Sequence, residues 1–291
     1  MKFPAWLVDH LIATQHFPPP SVYQQTIQIL RGLRLKTICQ SARCPNLGSC
    51  FAQGVATFLI LGEVCTRGCR FCAVPRGQPT LVAEDEPFRL LQAVRELHLR
   101  HAIFTSVTRD DLPDGGAGHF AQVVRTVRLG TRGITIEVLT PDFNGQAEAL
   151  EHVAASRPQV WAHNVETVPR LYPQVRPGAG YQRSLQLLAQ IKDLAPEIVT
   201  KSGLMLGLGE TPDEVYQVLQ DLQSAGVELI TLGQYLAPSG AHTPVARYVP
   251  PEEFDHWAQL AHELGFRGVA AGPLVRSSYH AGELYRRAAL P

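Results

Sequence analysis

Apolar and polar positions along this 291-residue chain fall into two alternating patterns. Short apolar runs at 56–61, 101–107, 134–139, 160–165, 199–206, 228–232 and 266–271 have the length of buried strands. Between them, apolar positions recur three and four apart over 87–99, 117–129, 146–155, 181–194, 212–225 and 251–264, the spacing of one helix face. Such alternation predicts an α/β fold with a parallel sheet. Thr211-Pro212-Asp213-Glu214 offers an N-cap, a proline at the first helical position and a glutamate two residues on. Pro250-Pro251-Glu252-Glu253 places proline and acids in another first turn. Both starts follow polar strand ends, and a parallel barrel, closed or open, gathers such loops at one mouth where ligands bind.

Upstream of 51 the pattern fails. A helix is expected over 21–33, after the Phe17-Pro18-Pro19-Pro20 breaker, followed by polar, irregular sequence. Residues 1–50 read as an extension without a core of their own.

Composition narrows the class more than the chemistry. With 45% hydrophobic and 18% charged residues, the chain falls outside the disordered and coiled-coil classes. Lys plus Arg and Asp plus Glu are 26 each, so bulk electrostatics favour neither nucleic acid nor an anionic membrane as partner. Pro4 and Asp9 interrupt the apolar N-terminal stretch, which excludes a secretory core, and no run approaches the ~20 apolar residues of a span. The expected location is cytoplasmic.

The six cysteines change the picture. Cys39, Cys44, Cys50, Cys65, Cys69 and Cys72 share one short window, spaced C-x4-C-x5-C and C-x3-C-x2-C. A reducing compartment disfavours disulfides. Zinc usually takes four ligands in C-x2-C pairs, whereas two groups of three fit incompletely ligated iron–sulfur clusters better. In the second group, Gly68 permits a tight turn, and Arg67 and Arg70 are placed to offset cluster charge. Three thiolates leave one iron of a four-iron cube open. The first group leaves the same gap, open to water, substrate or a non-thiolate side chain.

Cys65-x3-Cys69-x-Phe71-Cys72 resembles the signature of radical S-adenosylmethionine enzymes, with Phe71 at the aromatic position. With Cys39-x4-Cys44-x5-Cys50 upstream, the chain resembles the lipoyl synthase family. The likeness extends through 105–117, 163–168, 175–177, 200–210, 233–236 and Arg276-Ser277-Ser278-Tyr279. It implies a partial (β/α)6 parallel barrel at 51–265, an N-terminal extension at 1–50 carrying the auxiliary cysteines and a C-terminal extension at 266–291. It also implies insertion of two sulfur atoms, at C6 and C8, into an octanoyl chain on a carrier protein. Two 4Fe-4S clusters and S-adenosylmethionine are the implied cofactors: Cys65, Cys69 and Cys72 hold the catalytic cluster, and Cys39, Cys44, Cys50 and Ser278 hold the sulfur-donating one. The implied partners are an octanoylated lipoyl domain, on a 2-oxoacid dehydrogenase E2 or glycine cleavage H protein, and a ferredoxin or flavodoxin. A biotin-synthase-like sulfur inserter and a non-catalytic iron–sulfur or zinc protein are the alternatives.

Polar residues at expected strand ends supply candidate cofactor contacts: Ser106, Glu137, Asn164, Glu166 and Lys201, with Arg183 opening a helix. By resemblance, Asn164 and Glu137 suit ribose hydroxyls, and Arg183 or Lys201 suits the methionine carboxylate. Asp110, Asp111 and Asp114 precede Gly115-Gly116 and are expected to shape a turn rather than bind a cation. Gly207-Leu208-Gly209-Glu210 lacks the dinucleotide-binding spacing and reads as a strand-to-helix turn.

Overall fold

A computed structural model describes residues 3–13, 20–53 and 55–289. The Phe17-Pro18-Pro19 part of the expected breaker lies outside them. Eight strands, β1 (Lys36–Thr37), β2 (Thr57–Ile60), β3 (His101–Ser106), β4 (Thr135–Leu139), β5 (Val160–Ala162), β6 (Val199–Leu206), β7 (Leu229–Gln234) and β8 (Gly268–Gly272), follow their chain order in the sheet. Packing separates two units, and the division falls within β5. One draws its described residues from Ile12–Arg67 and Ala73–Trp161, the other from Met1–Leu11, Gly68–Cys72 and Ala162–Pro291.

In the first unit, β2, β3 and β4 pair in parallel, with Ile60 opposite Ser106 and Ile103 opposite Glu137. All four β2 residues are buried, as a strand covered on both faces requires. Phe58 stacks on Phe104 at 5.7 Å between centroids, and the buried Trp161 indole donates to Thr140 Oγ1 at 2.8 Å. The two-residue β1 was not expected from the pattern; it runs antiparallel to β2.

In the second unit, β6, β7 and β8 pair in parallel. The turn after β6 is closed by Glu210, whose carboxylate accepts from the Gly207 and Leu208 N–H groups at 2.6 and 2.9 Å. Gly207 has φ +100°, and a Cβ there would collide with the Gln234 side chain and the Arg247 carbonyl. The helix Pro212–Ser224 then begins with a full capping box between Thr211 and Glu214.

Expected and observed elements agree in type along the barrel, with two instructive differences. β5 ends at Ala162 rather than 165; past it the chain meets β6 again at Glu166, which forms an isolated parallel bridge to Leu204 with a left-handed φ of +68°. The region around the first cysteines is not irregular: Cys39 sits on a short helix, Ile38–Ser41, and Cys50 on another, Leu47–Ala52. Thr37 caps the former by accepting from Gln40 N–H at 3.3 Å. No helix among the described residues is long and apolar enough to cross a membrane.

Candidate cluster and cofactor site

All six cysteines are free thiols. In the first group, Cys44 N–H donates to the Cys39 carbonyl at 3.0 Å, and Cys50 N–H to Asn46 at 2.9 Å. Burial raises the Cys39 thiol pKa, with the charge of Cys44 adding to it. Cys50 is pushed up to about 12, first by burial and then by the charges of Cys39 and Cys44. These three thiols feel one another's charge, so they ionise together only where a cationic centre is shared among them. Among the described residues no three His, Cys, Asp or Glu side chains converge on a point suited to one ion. A cube of four irons makes no such demand, because each thiolate binds its own corner. The donor set fits three corners of an iron–sulfur cube.

In the second group, Cys65 follows the end of β2 by way of Leu61, with φ +66°, and Gly62, with φ +99°. A brace holds that bend. Glu86 accepts from Leu61 N–H at 3.1 Å and pairs with His119 Nε2 at 2.7 Å, while Arg109 Nη1 donates to the Leu61 carbonyl at 2.9 Å. Cys65 Sγ accepts from Arg67 N–H at 3.4 Å and Thr108 N–H at 3.3 Å, contacts of the kind that tune a thiolate bound to iron. Farther along, Arg70 N–H donates to the Val175 carbonyl at 2.8 Å and Cys72 N–H to Cys69 at 3.1 Å. Phe71 is half-buried between them in sequence.

Arg67 does not lend a spare charge to a cluster. Its guanidinium grips both Asp110 oxygens at 2.8 Å, ion-pairs with the fully buried Asp142 at 2.8 Å and donates to Asn144 Oδ1 at 2.6 Å. Burial alone would lower its pKa; hydrogen bonds and charge from Asp110 and Asp142 outweigh that and raise it. The other two aspartates are equally committed: Asp111 pairs with Arg109, and Asp114 accepts from Gly116 and Gly118 N–H. The trio shapes turns and caps a helix.

The candidate cofactor contacts separate into two sets. Ser106 ends β3, and its buried hydroxyl has no hydrogen-bond partner among the described residues. Asn164 and Glu166 lie just past β5, with Asn164 Nδ2 donating to Glu166 Oε1 at 3.1 Å. Burial raises the Glu166 carboxyl pKa, opposed by Arg176 and by Asn164. By contrast, Glu137 sits mid-strand in β4 with its carboxylate 2.8 Å from Nε2 of His101, the first residue of β3. Lys201 is the third residue of β6 and fully buried. The expectation that these two stand at strand ends is corrected: alternation gives the face of a strand but not how far along it a ladder begins. Arg183 is the third residue of the helix Tyr181–Leu194.

Arg176 is the participant that periodicity missed. It donates to the Asn164 carbonyl at 2.9 Å and Tyr172 Oη at 3.1 Å. Its pKa is raised: burial opposes the charge, but Tyr172, Glu166 and Cys69 more than offset it. Only its place in the Val175-Arg176-Pro177 match marks it in the sequence. At the C-terminus, Gly233 lets the Val275 carbonyl cross close over β7, where a Cβ would collide with it. The stretch holding Ser277 and Ser278 thereby folds back over the ends of the second unit's strands, and Ser277 Oγ donates to Asn164 Oδ1 at 3.1 Å. The half-buried Ser278 hydroxyl makes no hydrogen bond among the described residues.

Comparison with known proteins adds the family context. The model of the radical SAM superfamily matches residues 59–222. The chain is 55% identical over 252 residues to lipoyl synthase of Caldanaerobacter subterraneus subsp. tengcongensis, covering 87% of this chain and 88% of that one. It is 50% identical over 287 residues to lipoyl synthase of Thermus thermophilus, covering 98% and 87%. Among solved structures it is similar to the FeFe-hydrogenase maturase of Carboxydothermus hydrogenoformans, at TM-score 0.59, 13% identity and coverage of 90% and 61%. Methylornithine synthase matches at TM-score 0.53 and 14% identity, covering 82% and 67%. At such identities these two speak for the fold alone.

Proposed function

The chain belongs to the lipoyl synthase family of the radical S-adenosylmethionine superfamily, and from that premise we propose how its residues divide the work. The enzyme inserts two sulfur atoms, at C6 and C8, into an octanoyl chain borne by a carrier protein, and uses two 4Fe-4S clusters, S-adenosylmethionine and a reductant. When bound, these cofactors supply a radical strong enough to break unactivated C–H bonds, and the sulfur that replaces the hydrogen.

The protein's part is binding and orientation. Cys65, Cys69 and Cys72 hold the catalytic cluster, with Thr108 and Arg67 N–H groups directed at the Cys65 sulfur. Cys39, Cys44 and Cys50 hold the auxiliary cluster, and Ser278 is its fourth ligand. Serine oxygen suits iron less well than thiolate does, as a cluster that must surrender sulfur requires. The observation that carries the division is the main-chain bonding within each group, Cys44 N–H to the Cys39 carbonyl at 3.0 Å in the first and Cys72 N–H to the Cys69 carbonyl at 3.1 Å in the second.

Asn164, Glu166 and Ser106 are assigned to S-adenosylmethionine. With one amide proton on Glu166 and one lone pair on Ser277, Asn164 keeps a donor and an acceptor for neighbouring hydroxyls. Arg183 remains the candidate for the methionine carboxylate; Glu137 is assigned to its His101 partner, and Lys201 to the interior of β6. The carrier is a 2-oxoacid dehydrogenase E2 or glycine cleavage H protein, the reductant a ferredoxin or flavodoxin, and the location the cytoplasm.

Two variants test the division. Cys65→Ala abolishes 5′-deoxyadenosine formation, whereas Cys39→Ala retains cleavage of S-adenosylmethionine and forms no lipoyl product. Lipoyl product at the parent yield from Cys39→Ala would overturn the auxiliary assignment.

A further inference from the structure

Asn164 is a junction of hydrogen bonds just past β5. Nδ2 donates to Glu166 Oε1 at 3.1 Å, Oδ1 accepts from Ser277 Oγ at 3.1 Å, and the main-chain oxygen accepts from Arg176 Nη1 at 2.9 Å. Ser277 reaches this residue from 113 positions away, Arg176 from 12 and Glu166 from two.

The direction of the bonds follows from their chemistry. The amide turns its N–H to the Glu166 carboxyl oxygen and its own oxygen to the Ser277 hydroxyl. Ser277 therefore donates, and a neutral amide oxygen is far too weak a base to remove that proton. Its hydroxyl is committed as an anchor.

The surroundings leave the junction little slack. Glu166 has φ +68° and is held to β6 by two main-chain bonds, Glu166 N–H to Gly203 O and Met205 N–H to Glu166 O, both 2.9 Å. Strain of this kind persists only where the surroundings enforce it. A Cβ at Gly203 would lie 2.9 Å from Asn164 Oδ1 and 2.7 Å from Thr231 Oγ1, so the amide fills the space beside β6. Beyond Ser277 the chain turns, with Tyr279 N–H donating to the Arg276 carbonyl at 2.9 Å.

We infer that Ser277 is a positioning residue whose hydroxyl ties the Arg276–Tyr279 turn to Asn164, so that one hydrogen bond orients both the S-adenosylmethionine contact and the turn presenting Ser278. The inference rests on the assignment of Asn164 to S-adenosylmethionine and of Ser278 to the auxiliary cluster. Without the hydroxyl, Asn164 Oδ1 loses its donor and the amide is oriented through its Nδ2 bond to Glu166 alone on the side-chain side. The turn loses its tether in the same step.

The test uses the full-length protein, reconstituted anaerobically with both clusters, as Ser277→Ala, Ser277→Thr and Ser278→Ala. Two quantities are read for the Ser277 variants: KM for S-adenosylmethionine in 5′-deoxyadenosine formation, and amide hydrogen exchange of the peptide spanning the turn. Ser277→Ala raises KM roughly fivefold, the scale of one hydrogen bond, with kcat for cleavage changed less, and it speeds exchange in the turn. Ser277→Thr keeps the hydroxyl and restores both. A parent KM or parent exchange in Ser277→Ala overturns the inference, as does Ser277→Thr behaving like the alanine variant. Ser278→Ala is read separately through the auxiliary-cluster spectrum. An unchanged spectrum there removes the ligand assignment alone and leaves the tether standing.

Discussion

Arg67 shows how a single residue can be misjudged by its neighbours in sequence. Two cysteines flank it, yet its charge is met by Asp110 and Asp142 at the ends of other segments, which fasten the loop bearing Cys65. Asp142 is wholly buried, so its replacement costs a charge-assisted bond in a place water cannot repair. Asp142→Asn is expected to lower unfolding stability by roughly 2 kcal/mol, read from urea titration. Asp110 offers a pH test. Burial raises its pKa, but hydrogen bonds and charge from Arg67 prevail and hold it below the ordinary aspartate value. Its folded-state pKa being depressed, its contribution is complete above the ordinary range and disappears as pH falls below it. The stability gap between the parent and Asp110→Asn should therefore shrink on acidification through that range; a gap independent of pH would contradict the pairing.

Elements owe their ends to particular side chains. The helix Pro212–Ser224 starts where Thr211 Oγ1 accepts from Glu214 N–H at 3.3 Å and Glu214 Oε2 accepts from Thr211 N–H at 2.8 Å. Glu214 also takes a bidentate bond from Arg170, and its carboxyl is pushed down to about 2, chiefly by that bond. Thr211→Ala should cost about 1 kcal/mol in equilibrium unfolding at neutral pH, the usual worth of an N-cap. Glu214's share of stability is present above the ordinary glutamate range and is lost as pH falls from there toward about 2. At the end of β2 the positive φ of Leu61 is imposed from outside the strand, by Glu86 and Arg109, which reach it from 25 and 48 residues away. This bend carries the chain toward Cys65.

For the whole molecule, equal numbers of acidic and basic residues and an apolar octanoyl tail favour recognition by contact rather than by long-range charge. Energy from binding the carrier helps to orient the acyl chain, and a free acid forfeits it. Free octanoic acid should be converted far more slowly than the octanoylated carrier, with lipoyl product quantified by mass spectrometry; equal turnover would contradict this. The alternation of strand and helix was plain in the chain, as were the two cysteine triads and the cap at Thr211, because each depends on residues near in sequence. Local chemistry dictates a parallel fold and a loop with three closely spaced thiols. The early end of β5 at Ala162, the pairing of Glu137 with His101, the capture of Arg67 by Asp142 and the place of Arg176 were not legible there. Each depends on register or on a partner outside the residue's own element, and periodicity carries no information about either. Ser277 and Ser278 are alike in residue type, and the resemblance alone assigns the cluster to Ser278; the tertiary structure adds that the Ser277 hydroxyl meets Asn164.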